Sequence, residues 1–382
     1  MSIYPIMYLM SVYRAVIRRS GALVAPMLSS STGRSACERY SLSPVQAEAT
    51  EERAMATIKD VAVRAGVALG TASRVLNGST QTSPESRARV LEAAAALDYV
   101  THGPARALRR SRTDVLGLLV SDIRNPFFSE LAHAAEREAT KHGYTVLLAN
   151  ANENAAQAED SLRIFASQRV DGLLLAPQGP VTPRLTALIG SGLPVVLLNR
   201  ALDGVDVPLF ATDNTQGVAL ILDWLQRRGH SDVAFIGGPT AFSTGAERRS
   251  AYLRGRAAHG VSTDDALLEE GDFLADGAEA AMMRILARGV RPTAVFGVNG
   301  PTTLGAMRGL HRALGHEYAS RVEMISFGDL DWFEYASPRI SAVSTGAEQI
   351  GRWGAAGVLA LIAGEPVVSR FFEPELLDRS GA

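Results

Sequence analysis

The sequence predicts a small all-α segment of the helix-turn-helix type, followed by an α/β region of two doubly wound parallel-sheet subdomains. In residues 57–77, two short amphipathic patterns flank Gly66, as expected of two helices joined by a tight turn. From Val115 onwards, short apolar runs alternate with amphipathic helical patterns, several of which end at glycine. Such runs are typical of parallel strands covered on both faces, and they are too numerous for one modest sheet.

Composition indicates a globular chain of two or three domains. The chain has 382 residues, of which 47% are hydrophobic and 20% are charged, so it can bury a sizeable core. Its net charge of −2 means that any nucleic-acid contact must come from a local basic patch. The single Cys37 excludes an intrachain disulfide and a multi-cysteine metal site, and it fits a reducing cytosol. We therefore expect a cytoplasmic protein.

Residues 1–54 differ in character from the rest of the chain. Their opening is apolar, but Arg14, Arg18 and Arg19 interrupt it too early for a transmembrane span, so we expect no membrane partner. As a secretory signal the segment is inverted, because the charges follow the apolar run. The remainder is rich in Ser, Ala and Glu, which is typical of disorder. Two interpretations stay open, a disordered extension or a translation start at Met55.

The helix-turn-helix pattern carries start and stop signals. Thr57 can cap the first helix, with Asp60 at the third helical position, and Gly66 suits the helix C-terminus. A third helix, capped by Ser83, should close a small three-helix core. From periodicity alone, two amphipathic helices with no role in DNA binding remain an alternative. The residues that lie off the apolar stripe of the second helix, and should point outwards, are Thr71, Ser73 and Arg74.

Residues 57–77, TIKDVAVRAGVALGTASRVLN, resemble the N-terminus of LacI-type transcriptional repressors, which runs much like TxxDVAxxAGVSxxTVSRVLN. The resemblance implies a double-stranded DNA partner and a recognition helix with Leu69, Gly70 and Arg74 at the base-facing positions. Arg74 can give guanine a bidentate contact worth about 1–3 kcal/mol, whereas Gly70 has no side chain with which to read a base. The residues expected to contact DNA are Thr57, Leu69, Gly70, Thr71, Ser73, Arg74, Asn77, Tyr99, Arg106 and Leu108.

The segment that follows Tyr99 contains the densest positive charge of the chain. It resembles the hinge of the same family, which its Ala105, Arg106 and Leu108 match. The resemblance implies a hinge helix that orders on the operator, with Leu108 inserted as a wedge at a minor-groove base step. The arginines suit phosphate contacts, and a solvated basic linker is the alternative.

These patterns, together with the resemblance, imply four parts of the chain. We expect an extension at 1–54, the DNA-binding headpiece at 55–100, the hinge at 101–113 and an effector-binding and dimerisation domain at 114–382, with crossovers between its subdomains near residues 213, 344 and 367. The strands of that domain are predicted at 115–120, 144–150, 170–177, 194–200, 233–238, 293–299 and 322–329, and helices at 129–142, 216–228, 278–288 and 302–314.

Polar residues follow the predicted strands, where open α/β sheets bind their ligands. The arrangement resembles the effector-binding core of the same repressors, which is similar to periplasmic sugar-binding proteins. Asp, Asn and Arg can bond vicinal hydroxyls in pairs, and aromatic rings can cover the apolar face of a sugar. Gly300 and Gly328 stand where the family often has Asp. The resemblance implies an effector site formed by Asn125, Phe127, Phe128, Asn199, Arg200, Asp213, Arg248, Asn299, Asp329 and Trp332.

The resemblance as a whole implies a homodimeric repressor of a near-palindromic operator, controlled by a small-molecule effector that is expected to be a sugar. No Walker loop, G-x-S-x-G elbow or H-E-x-x-H motif occurs, so we expect no catalysis, no cofactor and no metal. Two alternatives belong to other classes. A solute-binding protein for sugar uptake would need an export signal and no headpiece, and an enzyme on a doubly wound sheet would need a catalytic constellation. A ligand-binding protein of the same core fold that is not a repressor also stays open.

Overall fold

The computed structural model describes residues 56–76, 79, 81–99 and 112–380. The predictions made for the N-terminal extension, for Asn77 and for the hinge with Arg106 and Leu108 lie outside the described residues.

Three short helices form the headpiece: α1 (Ile58–Arg64), α2 (Leu69–Leu76) and α3 (Pro84–Ala96). The predicted capping box is confirmed, because the Thr57 hydroxyl accepts from the Asp60 amide while the Asp60 carboxylate accepts from the Thr57 amide at 2.7 Å. Gly66 follows the C-cap residue of α1 and has a φ of +64°, a backbone conformation that favours glycine.

The headpiece core is small and built from alanine and valine side chains. Val61, Ala72 and Val90 are almost fully buried in it, one from each helix. Ser73 is also buried, with 8% of its surface exposed, so the prediction that it points outwards is wrong. Its neighbour Arg74 is exposed as predicted.

The first α/β subdomain is built on a six-stranded, entirely parallel sheet of strand order β11-β5-β4-β3-β1-β2. Its strands are β1 (Val115–Val120), β2 (Thr145–Asn150), β3 (Gly172–Leu175), β4 (Val195–Leu198), β5 (Leu209–Thr212) and β11 (Arg370–Phe372). Its helices are α4 (Pro126–Lys141), α5 (Ala155–Gln168), α6 (Pro183–Gly190) and α11 (Ala347–Ala363).

The second subdomain has a six-stranded sheet of order β12-β10-β9-β8-β6-β7, in which only the β10–β12 pair is antiparallel. Its strands are β6 (Val233–Gly237), β7 (Leu268–Glu270), β8 (Ala294–Gly297), β9 (Glu323–Phe327), β10 (Ser341–Val343) and β12 (Leu376–Leu377). Its helices are α7 (Asn214–Arg228), α8 (Ser243–Gly255), α9 (Ala275–Ala287) and α10 (Gly300–Ala319), with 3₁₀ turns at Ala257–His259, Asp265–Leu267 and Asp331–Tyr335.

Both sheets are covered by helices on both faces, which confirms the predicted doubly wound class. Leu118 and Leu119 are consecutive on β1 and both fully buried, yet they belong to different hydrophobic cores on opposite faces of the sheet. The same alternation separates Phe235 from Ile236 on β6. Because side chains alternate across a strand, two dry faces explain why the apolar runs are nearly continuous.

Helix α11 crosses α4 at Gly351. A Cβ atom built at this position would lie 2.2 Å from the carbonyl oxygen of Leu131 on α4. Only a residue without a side chain permits this backbone approach, which fixes α4 against the first sheet.

The chain crosses between the subdomains at three places. The first crossing follows β5 at residue 213, and the second lies at 344–346 between β10 and α11. The third lies at 373–375, between β11 in one sheet and β12 in the other, and not near 367 as predicted. Strands of two or three residues at sheet edges carry little apolar signal, so β11 and β12 were not predicted. Within the described part of the chain, no helix is both long and apolar enough to cross a membrane.

Candidate functional site

A cleft of about 510 Å³ lies between the subdomains at the carboxyl ends of the strands. Asp213, one of the ten residues predicted for the effector site, does not line it, because its carboxylate accepts from the Gln216 amide at 2.9 Å and caps α7. The nine predicted effector residues that line the cleft are Asn125, Phe127, Phe128, Asn199, Arg200, Arg248, Asn299, Asp329 and Trp332.

Arg200, on the first-subdomain wall, is held by a carboxylate of its own subdomain. Its guanidinium donates to both oxygens of Glu153, at 2.8 and 2.9 Å, and to the Gln178 amide oxygen at 3.2 Å. The ring of Phe242 lies 4.2 Å and that of Phe273 5.1 Å from the guanidinium carbon. Only 3% of Arg200 is exposed, and its Nε has no hydrogen-bond partner among the described residues.

Arg248, on the opposite wall, is a buried cation with neutral partners. Its Nε donates to the Asn214 side-chain oxygen at 2.8 Å, and its Nη1 donates to the Val298 carbonyl at 2.6 Å. The guanidinium carbon lies 3.7 Å from the centre of the Phe327 ring. Burial lowers the pKa of Arg248 to about 9, against the raising effect of the Glu247 charge. The side chain is therefore still charged at neutral pH.

Two of the predicted asparagines make bonds that shape the cleft. Asn299 donates to the Phe273 carbonyl at 3.0 Å and accepts from the Thr302 amide at 2.7 Å. Asn125 caps α4 by accepting from the Phe127 amide at 3.2 Å. These bonds orient both amides at the start of the helices that flank the cleft.

Asp329 forms an ion pair with Arg379. Its two oxygens accept from Nη1 and Nη2 of Arg379, at 2.9 and 2.7 Å, so this carboxylate is neutralised by the C-terminal segment. The cleft residues that were not predicted for the effector site are Pro126, Ser129, Glu130, Glu153, Thr244, Phe273, Gly300, Phe327, Gly328, Leu330, Asp331 and Thr345. Of these, Asp331 follows the predicted strand 322–329, and its position at a strand end was the signal that could have found it.

The predicted DNA-contacting residues divide into exposed and structural groups. Leu69, Gly70 and Arg74 are exposed on α2, and a Cβ added at Gly70 would have no atom of the described residues within 4 Å. Thr57 is exposed but caps α1, and Tyr99 packs partly buried against the headpiece core. Helix α2 thus has an exposed face that carries the guanidinium of Arg74 and has no side chain at Gly70.

Two family models match the two parts of the chain. The one described as "Bacterial regulatory proteins, lacI family" matches residues 57–102. The one described as "Periplasmic binding proteins and sugar binding domain of LacI family" matches residues 113–357.

Curated relatives match this chain along almost their whole length. The HTH-type transcriptional regulator PtxS of Pseudomonas aeruginosa is 32% identical, over 86% of this chain and 96% of the relative. The HTH-type transcriptional regulator GalR of Escherichia coli is 31% identical, over 85% of this chain and 95% of the relative.

Solved structures share the architecture. The complex of the transcriptional regulator CelR with cellobiose is 31% identical, with a TM-score of 0.64 over 86% of this chain and 100% of that one. The Lac repressor dimer bound to operator matches in fold with a TM-score of 0.73, at 22% identity over 85% of this chain and 98% of that one. These relatives are regulators and not enzymes, and the headpiece match disfavours a solute-binding protein. The chain belongs to the LacI family of bacterial transcriptional regulators.

Proposed function

We propose that this protein is a homodimeric repressor of a near-palindromic operator, and that a sugar or sugar derivative bound in the cleft controls its operator affinity. The observation that carries the proposal is the cleft itself, about 510 Å³ in volume and lined by both subdomains. The CelR relative, whose solved complex contains cellobiose, supports a carbohydrate ligand.

The chemistry of the cleft suits a polyol. The guanidiniums of Arg200 and Arg248 supply donors on opposite walls, and the rings of Phe127 and Trp332 can cover the apolar face of a sugar. A ligand that bonds both walls binds the closed arrangement better than the open one, so it shifts the subdomains towards closure.

The junction with the headpiece is fastened to the first subdomain. The amides of Thr113 and Asp114 each donate to the Asp171 carboxylate at 2.8 Å, and Arg112 donates to the Ile362 carbonyl at 3.0 Å. Closure changes how the paired first subdomains hold the two headpieces, and thereby the operator affinity. Linkage requires the operator to change ligand affinity by the same factor, typically about 1–3 kcal/mol.

The test is selection from randomised duplexes at fixed, moderate salt, followed by fluorescence anisotropy with and without sugars. We expect a near-palindrome to be recovered, and at least one sugar to change its binding. Binding that is sequence-blind and steeply salt-dependent would contradict the repressor function.

Arg74→Ala should weaken operator binding by about 1–3 kcal/mol, or roughly 5–150-fold, because it removes the exposed guanidinium of the recognition helix. Anisotropy titration with the selected operator measures the change. Arg163→Ala is the control, since Arg163 is also an exposed arginine, lies on α5 and pairs with Asp160 at 2.9 Å. Equal losses in the two variants would mean that Arg74 contributes charge only.

A further inference from the structure

The cleft lining contains more negative than positive charge. Four carboxylates face it, against the two guanidiniums of Arg200 and Arg248. Glu153 is neutralised by Arg200, and Asp329 is neutralised by Arg379 from outside the lining. Two carboxylates remain, Glu130 and Asp331, and neither has an ion-pair partner among the described residues. The four carboxylates of the lining are Glu130, Glu153, Asp329 and Asp331.

The two free carboxylates come from opposite walls of the cleft. Glu130 lies in the first turns of α4, which follows β1 of the first subdomain, and Asp331 begins the 3₁₀ turn that follows β9 of the second. Partial burial raises the pKa of Glu130, and the negative charges of Glu348 and Asp331 raise it further. Like charges on the two walls oppose closure, and a cation bound between them would remove that repulsion.

Arg200 and Arg248 do not compensate the negative charge of Glu130 and Asp331. Arg200 is already matched by Glu153, so an anionic group placed there would meet a carboxylate as well as a guanidinium. Its buried Nε lacks a hydrogen-bond partner within the described part of the chain, and a neutral hydroxyl oxygen of a ligand would satisfy it. Arg248 is one buried cation that already donates to two oxygens.

We infer that the ligand of this cleft is an aminated sugar or polyol, whose ammonium group lies between Glu130 and Asp331 and whose hydroxyls bond the guanidiniums. The inference rests on the proposed effector role of the cleft and specifies the charge of the effector. Sugar phosphates and sugar acids are disfavoured, since they would add negative charge beside two unpaired carboxylates. Asp331, and not Asp329, is the carboxylate that the second subdomain offers to a ligand.

The experiment uses the full chain and a panel matched by charge. Glucose, galactose and mannose are each tested as the neutral sugar, the 2-amino sugar, the uronic acid and the 6-phosphate, by thermal shift and then calorimetry. We expect an amino sugar to bind most tightly within its series, and no acid or phosphate to bind more tightly than the neutral parent. A tighter acid or phosphate, or the absence of any amino-sugar binder, overturns the inference.

Substitutions then locate the ammonium group. Asp331→Asn and Glu130→Gln should each weaken the best amino sugar by about tenfold or more, and the matched neutral sugar by much less. Glu334→Gln is the control, because Glu334 is exposed on the same 3₁₀ turn as Asp331 but does not line the cleft. Equal effects of Asp331→Asn on both sugars would overturn the assignment.

Operator binding, measured on the same samples, separates the two proposals. If the selected operator is bound and released by a neutral or acidic sugar, the charge assignment fails while the repressor function stands. If no operator is bound although an amino sugar binds, the repressor function fails while the ligand assignment stands.

Discussion

Gly351→Ala should strongly destabilise the first subdomain, with a loss of about 3 kcal/mol or more in the free energy of unfolding. The added Cβ would lie 2.2 Å from the Leu131 carbonyl oxygen, and both partners of the clash are backbone atoms of packed helices. Relief therefore requires α4 and α11 to move apart, which opens the core between them. Urea denaturation followed by far-UV circular dichroism measures the loss.

Gly190→Ala is the matched control for this prediction. Gly190 is also helical, but a Cβ added there would lie more than 4 Å from every atom that the structure describes outside its own helix backbone and chain neighbours. Alanine loses less backbone entropy than glycine on folding, so the control should be neutral or stabilising by up to about 1 kcal/mol. Similar midpoints for the two variants would show that α4 and α11 adjust freely to the methyl group.

Arg248→Met should shift operator release to a ligand concentration about tenfold to hundredfold higher, while the operator is still bound without ligand. The variant loses the charged donors on the second-subdomain wall, and we expect ligand affinity to fall by about tenfold to hundredfold. It also leaves the Asn214 side-chain oxygen and the Val298 carbonyl without their donor, at a cost of about 1–3 kcal/mol in stability for each buried group. Calorimetry with the best ligand, and operator release followed by anisotropy, measure the two effects.

Arg254→Met provides the comparison for that variant. Arg254 is exposed on the same helix, α8, and bonds only Ser250 among the described residues. It should retain ligand affinity, operator release and melting temperature. If Arg248→Met still released the operator at the ligand concentration that releases the unmodified protein, Arg248 would be a structural residue only.

The fold could be read from the sequence wherever local signals were strong. Thr57 and Asp60 at capping-box spacing predicted the first helix, and the apolar run 115–120 predicted β1, because two covered faces make a strand continuously apolar. The prediction failed for Ser73. Its side chain is small enough to be buried beside Ala72, so its polarity did not indicate an outward position.

The sequence predicted which residues line the cleft better than it predicted the interactions that they make. Nine of the ten residues expected there line it, and their contact with a ligand stays a prediction. The ion pair of Asp329 could not be predicted from neighbouring sequence. Its partner Arg379 lies 50 residues further along the chain and reaches Asp329 only after β12 pairs with β10. Arg200 likewise depends on Glu153, which is 47 residues away. Which charges remain free is a property of the folded chain.

The third crossing of the chain, at residues 373–375, limits the kind of movement that the subdomains can make. Two bodies joined by a single covalent link can twist as well as bend, whereas three links side by side leave bending about one axis as the easy motion. The β11–β12 segment supplies one of these links, and Arg379, just beyond it, ends on a cleft carboxylate. We therefore expect residues 373–379 to act as a mechanical constraint, so that opening and closing of the cleft follow nearly one direction.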